Sequence, residues 1–279
     1  MTSTAVLFPG QGSLTPDARD HARAVAPELV ALATELVGDD PFRFAHERTD
    51  FAQPAIFVAS IAGWRERDIH DIVAMAGHSL GELSALAAAG AVKPEDALRL
   101  VALRGRLMHE AAQGNGGGMV ALLGGDRADV ESLAAEHGLT VANDNAPGQL
   151  VLSGPLGGIE SLSLAARERG MKAISLDVAG AFHSPAVASV REPFYEALRE
   201  VRWSTPAVPV ISGATVSPFS DPPKQLADAL VSPVRWRELM AALYELGARE
   251  FVDVGPGRVL ARLVSRNLSA MEEQHALAG

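Results

Sequence analysis

The stretch Ile72-Val73-Ala74-Met75-Ala76-Gly77-His78-Ser79-Leu80-Gly81 decides how this chain is read. Residues 72–76 form a short apolar run stopped by glycine, the pattern of a buried strand. From Gly81 to about Ala89 the residues are small and apolar, as a closely packed helix needs. A strand, a glycine-flanked turn carrying a serine, and a helix together make the nucleophile-elbow pattern. The glycines let the chain turn sharply and leave Ser79 at the helix N-terminus. There the backbone N–H of Leu80 and the helix dipole are suited to an oxyanion. The same letters also describe an ordinary glycine-bounded turn whose serine caps a helix, so the elbow does not decide the chemistry alone.

Working outward, Ala5-Val6-Leu7-Phe8 reads as another buried strand, entering a tight loop at Pro9-Gly10-Gln11-Gly12. Helices are expected over roughly 17–37 and 54–68, and from Pro94 to about Ala112, where proline and acids mark the start. The run Gly114-Asn115-Gly116-Gly117-Gly118 reads as a linker. Beyond it the order is strand 119–123, helix 126–137, strand 139–143, strand 149–153, helix 155–169 and strand 173–178. That β-α-β-β-α-β order is a ferredoxin-like unit. Strand 208–212, a mainly helical stretch over about 224–247 and strand 250–254 then return to alternation, and there is no internal repeat. The expected fold is α/β: a parallel-sheet domain formed by residues 1–115 and 180–268, with a small α+β subdomain inserted at 116–179. Residues 269–279 read as a loose tail.

The totals agree. Hydrophobic residues make up 48% of the 279 and charged residues 21%, enough for a buried core and against global disorder. There is no cysteine, so disulfides, thiolate metal sites and a cysteine nucleophile are out. A net charge of −10 argues against nucleic-acid binding. No stretch has the length of apolar residues that a membrane span needs, and the N-terminus lacks a basic segment leading into an apolar one. Together with the missing cysteines, this leads us to expect a cytoplasmic protein. The histidines show no metal-ligand spacing, and no metal or prosthetic cofactor is expected.

A serine nucleophile needs a base. Among the eight histidines, His183 stands out in Ala181-Phe182-His183-Ser184-Pro185, where the inserted unit rejoins the main domain. Clefts between subdomains are common sites, although a loop histidine is as often just solvated. His78 adjoins Ser79, so its side chain is expected to point elsewhere and to be structural.

Five separated segments complete the pattern in order: Phe8-Pro9-Gly10-Gln11-Gly12-Ser13, Gly77-His78-Ser79-Leu80-Gly81-Glu82, Arg104-Gly105 followed by Met108, Ala181-Phe182-His183-Ser184, and Val254-Gly255-Pro256-Gly257. Asn145-Ala146-Pro147-Gly148-Gln149 adds a turn. Over about residues 4–268 the chain resembles the malonyl-CoA:acyl-carrier-protein transacylase family. The resemblance implies a hydrolase-like α/β domain with a ferredoxin-like insert. It implies transfer of a malonyl group from malonyl-CoA to an acyl carrier protein through an acylated serine. Residue by residue, it makes Ser79 the acylated serine, His183 its general base, and the backbone amides of Gln11 and Leu80 the oxyanion hole. It makes Arg104 the holder of the malonyl carboxylate, a role that suits a planar fork of donors. A guanidinium without that partner is costly, so monoacyl groups are expected to be poor substrates. Phe182 resembles the bulky residue of malonyl-selective members and is expected to crowd an α-methyl branch.

Three departures stand out. Leu14 occupies the place of a common glutamine, and the stretch after it is shortened. Ala229 stands where many members carry glutamine or asparagine; the role there belongs to a backbone carbonyl, which alanine keeps. No carboxylate is placed by motif to complete a triad, so the reading is a Ser79–His183 dyad. Arg258, Arg262 and Arg266 fall at i, i+4 and i+8 on the last expected helix. They make a basic stripe that is either a solvated face or a contact for an acidic carrier protein. A serine hydrolase or editing acyl-hydrolase, a transferase for another acyl group, and a non-enzymatic carrier-binding module remain as alternatives. The oligomeric state and the choice between fatty-acid and polyketide synthesis are not expressed in these motifs.

Overall fold

The structure, a computed structural model, describes residues 3–178 and 180–278; Met1, Thr2, Ala179 and Gly279 lie outside the described residues. The chain opens with β1 (Thr4–Phe8), followed by α1 (Ala18–Val25), α2 (Pro27–Val37) and α3 (Thr49–Arg65). Next come β2 (Ile72–Gly77), α4 (Gly81–Ala88) and α5 (Pro94–Asn115). The inserted unit is β3 (Gly117–Leu123), α6 (Arg127–Glu136), β4 (Thr140–Ala146), β5 (Gln149–Pro155), α7 (Leu156–Glu168) and β6 (Lys172–Ser175). The first unit resumes with α8 (Ala188–Arg199), β7 (Val210–Ile211), α9 (Pro222–Ala229), α10 (Trp236–Glu245), β8 (Glu250–Asp253) and α11 (Val259–Ala278).

Strands β7-β2-β1-β8 form a sheet in that order, and every pairing in it is parallel. Alternation along β1 serves both faces. Val6 and Phe8 join the core under α2–α5, while Ala5 and Leu7 join the core under α10 and α11. Because β1 and β2 are parallel neighbours, the loops that follow them leave the same edge of the sheet side by side. The carboxyl ends of the strands are the usual place for a site in such sheets. The second sheet, β4-β5-β3-β6, is antiparallel and buries one face under α6 and α7. That order is the ferredoxin-like arrangement expected from the element sequence.

The two units are clamped together. Val234 N–H donates to the Ala142 carbonyl at 2.8 Å, and Asp144 N–H donates to the Val234 carbonyl at 2.9 Å. The buried Asp144 carboxylate accepts from Arg127 of α6 at 2.9 Å and from Arg237 of α10 at 2.8 Å. Among the described residues no helix is long and apolar enough to cross a membrane.

Four readings from sequence need correction. The first helical stretch is two helices, because Pro27 at the start of α2 lacks the N–H needed to continue α1. The second begins at Thr49 rather than at Pro54, which sits inside α3. The glycine-rich linker is mostly ordered structure: α5 runs to Asn115, Gly116 caps it in the left-handed conformation, and Gly117-Gly118 already belong to β3. The expected loose tail is helical, since α11 continues to Ala278, with Leu268 and Met271 packed on the second core. Helix α8 had not been marked out by pattern, because Pro193 lies inside it.

Candidate active site

The elbow is built by local sterics. Ser79 has φ +53°, a left-handed conformation that costs strain in a non-glycine residue. The turn closes because its flanks carry no Cβ. One at Gly77 would lie 1.9 Å from the Gly81 carbonyl carbon, and one at Gly81 would lie 2.0 Å from the Phe8 carbonyl oxygen. His78 N–H donates to that same Phe8 carbonyl at 2.9 Å, tying the elbow to the end of β1.

Ser79 lies between two partners. Its hydroxyl donates to His183 Nε2 at 2.8 Å and accepts from Arg104 Nη2 at 3.0 Å. His183 is buried rather than loop-exposed, at 6% exposure and φ +56°. Its Nδ1–H is shared by the carbonyls of Ala229 at 3.0 Å and Ser232 at 3.1 Å. These carbonyls fix the tautomer that leaves Nε2 as an acceptor. The Ala229 carbonyl thus sits where the departure from the family pattern requires it. Burial, and then the Arg104 charge, push His183 down to about 4, so the imidazole is neutral at pH 7.

Arg104 comes from α5 and is 6% exposed. Burial lowers it to about 10, against the opposing charge of Glu82, so it stays a cation. Its Nη1 donates to Gln53 Oε1 at 2.7 Å. Gln53, buried in α3, donates from Nε2 to Thr49 Oγ1 at 3.1 Å, and Thr49 Oγ1 donates to Gln11 Oε1 at 3.1 Å. A polar chain therefore runs from the loop after β1 through α3 to the serine. It also amends one expectation. Without any carboxylate ligand the guanidinium still has two acceptors, so a neutral acyl group does not leave it bare.

Gln11, Leu80, Phe182, Met108, Met119, Leu176 and Val178 join Ser79, Arg104 and His183 around a cavity of about 110 Å³. Its walls come from both units, with Met119, Asn143, Leu176 and Val178 supplied by the insert or the chain leaving it. The backbone amides of Gln11 and Leu80 donate to no protein acceptor among the described residues. His78 also lines this cavity, and among the described residues no hydrogen bond joins its ring to Ser79. Its Nε2 hydrogen-bonds Asn145 Oδ1 at 2.9 Å, its ring lies 5.2 Å from Trp236, and burial keeps its pKa low.

The basic stripe is only partly brought together. Arg258, Arg262 and Arg266 are all exposed, but Arg266 donates to Gln149 Oε1 and to the Pro147 carbonyl of the β4–β5 turn. Arg258 precedes the first residue of α11, so it stands at the helix N-terminus and gains nothing from the dipole. Sequence reasoning missed Gln53 and Glu82. Each was visible as a polar residue set between small or apolar neighbours, and they are 1% and 3% exposed respectively.

A family model described as "Acyl transferase domain" matches residues 32–279. The polyketide biosynthesis protein ThaF of Burkholderia thailandensis is 37% identical across 95% of this chain, which spans only 24% of that protein's length. The malonyl CoA-acyl carrier protein transacylase of Salmonella typhimurium is 33% identical, covering 100% of this chain and 98% of that protein. A solved type II PKS acyl-carrier protein in complex with its malonyl-transacylase, PlMCAT:AntF, matches with a TM-score of 0.88 at 31% identity, covering 96% of this chain and 94% of that one. With matched length and fold in agreement, the chain belongs to the malonyl-CoA:acyl-carrier-protein transacylase family of acyltransferases.

Proposed function

We propose that this chain transfers a malonyl group from malonyl-CoA to the phosphopantetheine thiol of an acyl carrier protein, through an ester on Ser79. The carrying observation is the serine hydroxyl held between a neutral histidine and a buried arginine. His183 Nε2 takes the Ser79 proton as Oγ attacks the thioester carbonyl. The negative charge that develops on the carbonyl oxygen meets the amides of Leu80 and Gln11. Collapse expels the coenzyme A sulfur, which takes the proton from His183 and leaves the malonyl ester. The carrier's thiol then gives its proton to His183 and attacks that ester, and Ser79 leaves with the proton. Arg104 spends one N–H on Gln53 and one on Ser79, and three of its five remain for the malonyl carboxylate.

The reading is a Ser–His dyad in which backbone carbonyls do the orienting that a third side chain does elsewhere. It assigns the oxyanion role to Gln11 and Leu80, carboxylate binding to Arg104 and a selectivity wall to Phe182. It divides the chain into a large domain and an inserted subdomain at 116–179. It puts the reaction in the cytoplasm, without a metal or prosthetic group, serving fatty-acid synthesis or the polyketide synthesis that the names of several relatives carry. Arg258, Arg262 and Arg266 are the cations offered to an acidic carrier, Arg258 and Arg262 most directly because Arg266 also holds the β4–β5 turn. Intact-mass analysis tests this directly. Malonyl-CoA should add one malonyl group, a phosphopantetheine-bearing carrier should remove it, and Ser79→Ala should never acquire it. An equal adduct on Ser79→Ala sinks the assignment.

A further inference from the structure

Glu82 lies three residues beyond Ser79 on α4, and nothing in the reaction above uses it. A buried carboxylate is tolerable only where the fold supplies donors. Its Oε1 accepts the Gly213 N–H at 2.7 Å, and the Ser212 hydroxyl donates to the same group. Burial pushes Glu82 up to about 7 against those donors and the charge of Arg104. With Ser79, Arg104, His183 and Ser232 it also lines a small void of about 10 Å³ behind the nucleophile.

The turn that Glu82 holds leads straight to the base. The Gly213 carbonyl accepts the Arg235 N–H at 2.7 Å. Val234, the residue before, is paired with β4 through Ala142 and Asp144. Residues 229–235 are thus gripped between the turn on Glu82 and the edge of the inserted sheet. This is the segment whose Ala229 and Ser232 carbonyls receive the Nδ1–H of His183.

We propose that Glu82 is a positioning residue. It ties the helix that carries the nucleophile to the segment that aims the base, and so sets the distance between Ser79 Oγ and His183 Nε2. The proposal rests on the reading of Ser79 and His183 as the acylation pair. Glu82 touches neither substrate nor reacting atom, so its loss should appear in kcat and leave KM for malonyl-CoA nearly untouched. Misplacement by about 1 Å at such a pair costs on the order of 100-fold.

The experiment compares wild type, Ser79→Ala, Glu82→Ala and Glu82→Gln by steady-state kinetics, intact mass and thermal melting. Glu82→Ala should lose about 10- to 100-fold in kcat, with KM within about twofold of wild type. Glu82→Gln keeps an oxygen facing the Gly213 N–H and should recover kcat to within about threefold. Its melting temperature should match or exceed that of wild type, since it removes a buried charge. Wild-type kcat in Glu82→Ala, a loss confined to KM, or a glutamine variant no better than alanine each overturns the proposal. Should Glu82→Ala fail to fold, Glu82→Asp replaces it. Its carboxylate is withdrawn by one methylene, the same kcat loss is expected, and wild-type kcat overturns the idea. A wild-type protein that forms no Ser79-dependent malonyl adduct sinks the underlying reading and this proposal with it. Normal acylation with indifferent Glu82 variants sinks this proposal alone.

Discussion

Replacing Arg104 by alanine separates carboxylate recognition from generic serine chemistry, and the structure sets the size of the effect. A hydrogen-bonded pair with a charged partner contributes about 1.5–3 kcal/mol. At about 1.4 kcal/mol per decade, malonyl transfer should lose roughly one to two decades in kcat/KM from the missing carboxylate partner. Acetyl transfer has no such partner to lose. It does lose the Arg104 donor on Ser79 Oγ, 3.0 Å away in the native site, so it should fall by less, about tenfold at most. The ratio of malonyl to acetyl kcat/KM should therefore drop about tenfold or more. Two side effects follow. Gln53 Oε1, now without its 2.7 Å donor, costs about 1–3 kcal/mol of stability and should lower Tm by a few degrees. Removing a cation that depresses His183 should also move the acid limb of the rate profile upward in pH. Arg104→Lys should restore only part of the ratio, because an ammonium keeps the charge without the fork. The assay is the release of coenzyme A from malonyl-CoA and acetyl-CoA with a holo carrier protein as acceptor, across pH. An unchanged ratio in Arg104→Ala refutes the reasoning, for the carboxylate would then be read elsewhere.

Three further outcomes follow from the same geometry. His183→Ala should slow acylation by roughly 10²–10⁴-fold; the protein should stay folded but melt a few degrees lower, because the Ala229 and Ser232 carbonyls lose their donor. Wild-type rates in that folded variant would mean another base. With His183 held at about 4, the base is neutral above that pH and protonated below it. Wild-type kcat/KM should therefore persist to about pH 5 and fall only as pH drops through about 4, whereas an acid limb near 6.5, the ordinary histidine value, contradicts the buried environment. Arg258→Glu with Arg262→Glu should raise KM for the carrier severalfold, more at low salt, without changing self-acylation by malonyl-CoA. Equal carrier KM values would reduce the stripe to a solvated face.

Much of this protein was legible because its decisive features are local. The elbow follows from two missing Cβ atoms at Gly77 and Gly81, which short-range sterics alone require. The alternation of strand and helix, and the change of pattern across the insert, follow from periodicities of two and 3.6 residues that any window of sequence displays. Ser79, His183 and Arg104 could be named from their segments before any distance was known. Proline misled the helix boundaries, since Pro54 looks like a start yet sits inside α3, which begins at Thr49.

What tertiary structure decided is how distant residues satisfy one another. No pattern places Gln53 on Arg104, Ser232 on His183, Glu82 on Gly213, or Arg266 on the β4–β5 turn. Those pairings lie far apart along the chain and exist only once the sheet is assembled and the insert is clamped to it. The depressed histidine, the cation kept inside the fold and the carboxylate behind the nucleophile follow from the same fact. Desolvation depends on everything packed around a group, and a sequence read residue by residue carries only its neighbours along the chain.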